Sequence, residues 1–315
     1  MQNQSHAIAL NGHDLTPAAV AAIAREDRPI ALAPEALARM AAARQVIERA
    51  LDSGVPVYGL TTGLGARVGH RLPREALAEF SRLTLRGRGH AMGAPLPREA
   101  VRATMAVRLN GLLLGGAGAA PGVAESLCGL LNAGLTPVVP SIGSIGAGDL
   151  CLLAHLGLAM IGEGEIELDG TVLPAAEALR QAGLTPLELG PKDGLAICNA
   201  SSASAGIGAL ALHDVAQVWT QVNIAAALSY EGFRANVSTL DDRLVRLRPQ
   251  PGQIETAAAM RDFLQGGALL EPGASRRLQD PVSLRCVPQV HGALHAALAF
   301  AEPVLAAEIN GDSSN

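Results

Sequence analysis

Residues 136–165 run TPVVPSIGSIGAGDLCLLAHLGLAMIGEGE. Pro140 and the glycines at 143, 146 and 148 make a pliable turn, and the apolar run from Asp149 reads as a helix. A dinucleotide fingerprint needs G-x-G-x-x-G between a strand and a helix in an alternating chain. Gly146 and Gly148 supply its first half, but Leu150 and Cys151 follow where the third glycine is due. A phosphate loop ends in Gly-Lys-Ser/Thr, and here Asp149 occupies the lysine position, where its charge repels phosphate. Two readings remain: a plain glycine turn feeding a helix, or the site of some other chemistry.

The surroundings favour helices. The chain has 315 residues, 49% hydrophobic and 17% charged, enough for one large domain or two smaller ones. Aromatics are 2%, so Leu, Ala and Val must fill the core, and that composition favours helix over strand. A net charge of −5 without a long basic block argues against nucleic-acid binding. The cysteines at 128, 151, 198 and 286 form no CxxC pair, which removes the usual zinc and disulfide frameworks. The start MQNQSHAIALNGHDLTP lacks the basic and apolar regions of a secretory signal. Runs such as AGIGALALHDVAQV are broken by polar residues before bilayer length, so no membrane contact and a cytoplasmic setting are expected.

Thr16 and Pro17 open a helix as cap and first residue. Residues 33–54 are amphipathic and end at Gly54. Further helices are expected near 75–86, 97–114, 121–134, 149–161, 174–182, 203–229, 254–265 and 288–309. EIELDGTVL, 165–173, alternates and turns at Asp169-Gly170, which predicts one hairpin. Gly/Pro-rich loops between helices are where chemistry is sought. No linker divides the chain.

Each candidate in those loops has a bland reading beside a functional one. Tyr58 in VYGLTTGLG packs with a bonded hydroxyl, or serves as an acid/base group. His90 in GRGHAMG is a solvated loop residue or a ligand contact. His291 and His295, four apart on a helix, lack a third ligand in sequence and read as structural rather than metal-binding. Asn199 in ICNASSAS is a helix cap or a polar contact. Arg285 lies in an apolar stretch and calls for an anion, either a structural carboxylate or a substrate's.

In order along the chain, VYGLTTGLG, GHAMGAPLP, the 136–165 stretch, KDGLAICNASSAS, RPQPGQIETAAAMRD and QDPVSLRCVPQVHGA resemble the histidine/phenylalanine/tyrosine ammonia-lyase family. The resemblance implies a mainly α fold, a long-helix bundle of the aspartase/fumarase-like type. Residues 1–200 would form an N-terminal reactive-loop region and 201–315 the first part of the central bundle. It implies a small amino acid substrate, ammonia elimination, and a homotetramer. The implied prosthetic group is methylidene-imidazolone, made by cyclising an internal Ala-Ser-Gly. Tyr58 matches the family's base, Asn199 its ring-contacting asparagine, Gln279 a glutamine of the site wall, and Arg285 the carboxylate-gripping arginine. His90 matches a position of side-chain selectivity, and Gly146, Ala147, Gly148 and Asp149 the ring-forming loop.

Three departures qualify what the resemblance implies. Where the family has G-S-[VI]-G-A-S-G-D-L, residues 143–150 are GSIGAGDL, with no serine between Ala147 and Gly148. Neither residue has a β-hydroxyl to lose, and Ser144 is followed by the branched Ile145, a poor nucleophile for cyclisation. Val282 stands where the family's DPYSLRC has tyrosine, which removes a hydroxyl. The closing AAEINGDSSN resembles E-x-N-x-x-[ST]-D-N-P with Ser314 for aspartate, and a typical member continues for roughly another domain's length. Helix 288–309 is then expected to show an uncovered apolar face that favours oligomerisation. Three functions follow from this: an ammonia-lyase for histidine or a related aromatic amino acid, a prosthetic-group-free homologue that binds or assembles, or an enzyme of different chemistry on this scaffold with Tyr58 as base for another elimination.

Overall fold

The computed structural model describes residues 7–312 and is mainly α-helical; Ser314 lies outside the described residues. The expected helices form as Pro17–Arg25, Pro34–Ser53, Leu77–Arg86, Arg98–Leu112, Pro121–Asn132, Leu150–Met160, Ala175–Gln181, Ser202–Phe233, Pro251–Leu264 and Val287–Ile309. Thr16 caps the first by accepting the Ala19 N–H at 3.1 Å, and Gly54 ends the second in the left-handed conformation, φ 67°. The hairpin forms as Glu165–Leu168 with Thr171–Pro174, and both turn residues have positive φ, 50° at Asp169 and 78° at Gly170. Several features go beyond the expected set, among them Met92–Pro95 paired antiparallel with Pro140–Ile142. Thr136–Pro137 adds a third antiparallel strand to the hairpin, and Ile8–Leu10 pairs in parallel with Ile30–Leu32.

The chain divides into two compact units, one of residues 1–210 with 305–315, the other of residues 211–304. In the first, thirteen of the fifteen residues of Arg98–Leu112 are buried, which makes this helix the centre of the core. Polar groups inside so apolar a core must be paired. Arg102 donates to the carbonyls of Ile23 and Leu131 and meets Asp27 at 2.9 Å. Asn110 donates to the Ile309 carbonyl at 2.9 Å, and Asn310 bonds the Leu15 backbone in both directions at 2.8 Å, which ties residues 309–310 to this unit. The second unit has a smaller core around Tyr230, Leu240, Met260 and Leu264. There Gly252 and Gly292 bring two helices together so closely that a Cβ on Gly252 would fall 2.0 Å from the Gly292 carbonyl oxygen.

Polar residues do interrupt the apolar runs, yet two stretches contain 18-residue windows that average apolar enough to cross a bilayer by length and composition alone. By length and composition, Asp193–Phe233 and Val287–Ile309 both reach that length, with mean hydropathy 1.5 and 1.3. The scattered polar residues are too few to lower the average. In the first, 61% of the apolar window is buried, as in a core helix; in the second, 6% is buried. Val290, Phe300 and Val304 on the second are more than 60% exposed.

Candidate active site

Within the first unit, a short helix organises the site. Asp193–Cys198 was not expected from sequence; it starts at Lys192, whose φ of 71° breaks any helical pattern upstream. Asp193 is buried, and its carboxylate accepts the N–H groups of Ala120 at 3.0 Å and Gly190 at 2.8 Å and pairs with Arg44 at 3.1 Å. Arg108, also buried, donates to the Ala196 carbonyl, and burial lowers its guanidinium pKa to about 10. Gly194 lies flush on Ser81 of Leu77–Arg86, where a Cβ would meet the Ser81 carbonyl oxygen at 2.1 Å. Leu195 receives the Tyr58 segment, at Gly59.

The helix ends at Asn199, whose N–H returns to the Leu195 carbonyl at 2.9 Å. Its side-chain amide has no hydrogen bond among the described residues, so Asn199 is a C-terminal cap with a free amide rather than a cap for the following helix. Cys198 beside it is fully buried, and burial raises its thiol pKa to about 11, which keeps it protonated.

The glycine loop lies against this end. The Asp149 N–H donates to the Ala200 carbonyl at 2.8 Å, and the Ile145 N–H to the Gly148 carbonyl at 2.9 Å. Gly146 takes φ 83°, a conformation that favours glycine. Asp149 is 1% exposed, and its carboxylate accepts the N–H of Ser204 at 2.8 Å and its hydroxyl at 2.9 Å. It thereby caps the first turn of Ser202–Phe233 across 55 residues of sequence, a role sequence reading missed. Asp followed at a distance by a Ser-rich helix start is the only trace of it.

Tyr58 is 47% exposed, and its hydroxyl accepts the Gly65 N–H at 3.0 Å. His90 has both ring nitrogens engaged: Nδ1 lies 3.2 Å from the Gly87 carbonyl and Nε2 3.4 Å from Cys151 Sγ. The carbonyl requires Nδ1 to donate, so Nε2 accepts from the thiol. This cysteine partner also escaped sequence reading. The segments holding Tyr58, His90, Asn199 and residues 146–149 therefore meet around one short helix and one loop.

Gln279 and Arg285 belong to the second unit. Gln279 is exposed, and Arg285 is half-buried, with its Nε donating to the Asp280 carbonyl at 2.8 Å. The expected burial and carboxylate partner are replaced by a backbone acceptor, which leaves the terminal nitrogens free among the described residues. Tyr230 steadies this segment by donating to the Leu284 carbonyl at 2.6 Å. His291 bonds Asn223 Oδ1 at 2.8 Å and His295 lies against the Trp219 ring at 4.7 Å, which are structural contacts.

The loop does not fit the methylidene-imidazolone group. Ala147 and Gly148 have no hydroxyl. Ser144 Oγ accepts the Gly146 N–H at 3.2 Å, and the Ile145 nitrogen that would have to attack is turned to Gly148. No step through that group follows for this chain.

A profile of the aromatic amino acid lyase family matches residues 15–315. Histidine ammonia-lyase of Treponema denticola is 39% identical over 309 residues, covering 98% of this chain and 61% of the relative. That of Sorangium cellulosum is 41% identical over 311 residues, covering 97% and 60%. Among solved structures, tyrosine aminomutase from Streptomyces globisporus superposes with a TM-score of 0.90 at 31% identity, covering 98% of this chain and 62% of that one. Histidine ammonia-lyase from Trypanosoma cruzi gives 0.87 at 32%, covering 98% and 57%. The chain thus spans about six tenths of the length of the curated relatives it matches. On the loops, the helices and this co-linear match, the chain belongs to the aromatic amino acid lyase family.

Proposed function

We propose that this chain serves amino acid ammonia-lyase function: the non-oxidative removal of ammonia from L-histidine or a related aromatic L-amino acid, leaving an α,β-unsaturated acid. The observation that carries the reading is near-complete coverage of this chain by histidine ammonia-lyases at 39% and 41% identity. In this reading the terminal nitrogens of Arg285 hold the substrate carboxylate, which a planar fork of donors suits. Asn199 offers its free amide to the substrate, Gln279 forms part of the wall, and His90 lies beside the substrate's side chain. Tyr58 acts as the base that removes the β-proton as the amine leaves. Residues 1–200 carry the reactive loop, residues 201–315 begin the helical bundle, and a cytoplasmic homotetramer assembles the site.

A second reading is favoured by the loop itself. Without a hydroxyl between Ala147 and Gly148 the chain has no means of building the family's electrophile, and it acts as a prosthetic-group-free homologue that binds an aromatic amino acid. The test uses the full chain with L-histidine, following ammonia release and calorimetric binding together. Ammonia release that Tyr58→Phe abolishes supports the lyase. Binding without release, weakened by Arg285→Ala, supports the second reading. Neither binding nor release contradicts both.

A further inference from the structure

The Cys151 thiol takes no part in either reading of function, yet it is paired with a base. Cys151 is the second residue of helix Leu150–Met160, at its positive end, which favours a thiolate. Its Sγ lies 3.4 Å from His90 Nε2, and His90 Nδ1 is held on the Gly87 carbonyl at 3.2 Å. A nucleophile bonded to a base, with the base bonded to an orienting acceptor, is the arrangement that activates a cysteine. The nearest carboxylate along the chain, that of Asp149, is engaged by the N–H and hydroxyl of Ser204.

A further polar group nearby lacks a partner. His155 follows one helical turn after Cys151, so the two side chains share a face. Its Nε2 is buried with no hydrogen-bond partner, and burial together with the charge of His90 lowers its pKa. Among the described residues no group of three or more histidine, cysteine or carboxylate side chains could hold a metal ion, so these three are not a metal site.

Access to the sulfur is narrow. Cys151 is 8% exposed, and Gly143 lies over it, where a Cβ would fall 2.9 Å from the Cys151 Cβ. His90 is exposed. The sulfur is thus open to a small electrophile on the His90 side and closed to a bulky one.

We propose that Cys151 is a modification site for small hydroperoxides, with His90 as its base. His90 Nε2 takes the thiol proton, and the sulfur attacks the terminal peroxide oxygen. A sulfur–oxygen bond forms as the oxygen–oxygen bond breaks, and the departing oxygen takes the proton from His90. The thiol is oxidised to a sulfenic acid, and the peroxide is reduced to water or an alcohol. The new oxygen is a partner for the His155 Nε2.

The test exposes the full chain to hydrogen peroxide, blocks the remaining thiols after unfolding, and maps each cysteine over time by peptide mass spectrometry. Cys286 is the internal reference: it is more exposed than Cys151, so exposure alone puts it first. Cys151 is oxidised about tenfold faster than Cys286, and His90→Asn, first checked for parental far-UV circular dichroism, removes that difference. The bulkier N-ethylmaleimide labels Cys286 before Cys151. Cys286 oxidised first, a parental Cys151 rate in His90→Asn, or Cys151 labelled first by the maleimide overturns the proposal. His155→Leu speeds over-oxidation to the sulfinic acid, and a parental rate there overturns the bond to His155. None of these readouts depends on ammonia release or histidine binding, so failure of either reading of function leaves the site standing.

Discussion

Replacing Gly194 by alanine should unfold the site from beneath. An added Cβ would lie 2.1 Å from the Ser81 carbonyl oxygen, 2.7 Å from its carbon and 2.9 Å from Ser81 Cα. Comfortable non-bonded separation is about 3.5 Å, so two backbones must part by more than about 1 Å. Neither has slack. The Ser81 hydroxyl donates to the Gly190 carbonyl at 2.7 Å, and Asp193 beside Gly194 is held by Ala120, Gly190 and Arg44. Overpacking costs about 1–3 kcal/mol, and each hydrogen bond lost adds about 1 kcal/mol. The better helix propensity of alanine returns about 1 kcal/mol. The net loss is about 2–4 kcal/mol, a large share of the stability of a typical domain. At Gly232, where no atom lies within 4 Å of the added Cβ, the same substitution should stabilise by about 0.5–1 kcal/mol. Urea unfolding followed by far-UV circular dichroism reads both. A parental midpoint for Gly194→Ala would refute the close contact and, with it, the account of how Asn199 is positioned.

Asp149→Ala removes a buried carboxylate that caps Ser202–Phe233 through Ser204, and urea unfolding should show a loss of about 1–2 kcal/mol; Asp149→Asn, which keeps one acceptor, should lose less. Burial lowers the pKa of both His155 and His291. A lowered histidine value means the unfolded chain binds protons first, so stability is complete above about pH 6.5 and declines as pH falls below it. The urea midpoint should therefore drop between pH 7.5 and 5.5, and His291→Gln should flatten the drop; a midpoint that rises on acidification would reverse the assignment.

Much of the fold was legible because its elements carry local signals. Thr16-Pro17 and Gly54 punctuate helices, and Asp169-Gly170 dictates a hairpin turn. The elements missed have no such signal. Thr136–Pro137 and the paired strands at Ile8–Leu10 and Ile30–Leu32 span two or three residues each, too few for alternation to show, and long-range pairing alone defines them. Asp193–Cys198 is a six-residue helix held by tertiary contacts from Arg44, Arg108 and Ser81. The same limit applies at the site. The glycine loop and its neighbours were visible as motifs, whereas Asp149 bonding Ser204 and Cys151 bonding His90 join residues far apart in sequence. Arg285 was legible as an arginine in apolar company, but its backbone partner was not.

The choice between the two readings of function turns on residues 146–149, which the geometry describes as an ordinary backbone loop. Intact mass spectrometry of the purified chain, with its near-ultraviolet absorbance, tests this directly. The account predicts the mass of the unmodified 315-residue sequence and no absorption beyond that of its few aromatic residues. A mass short by two waters, with a new near-ultraviolet band, would contradict it.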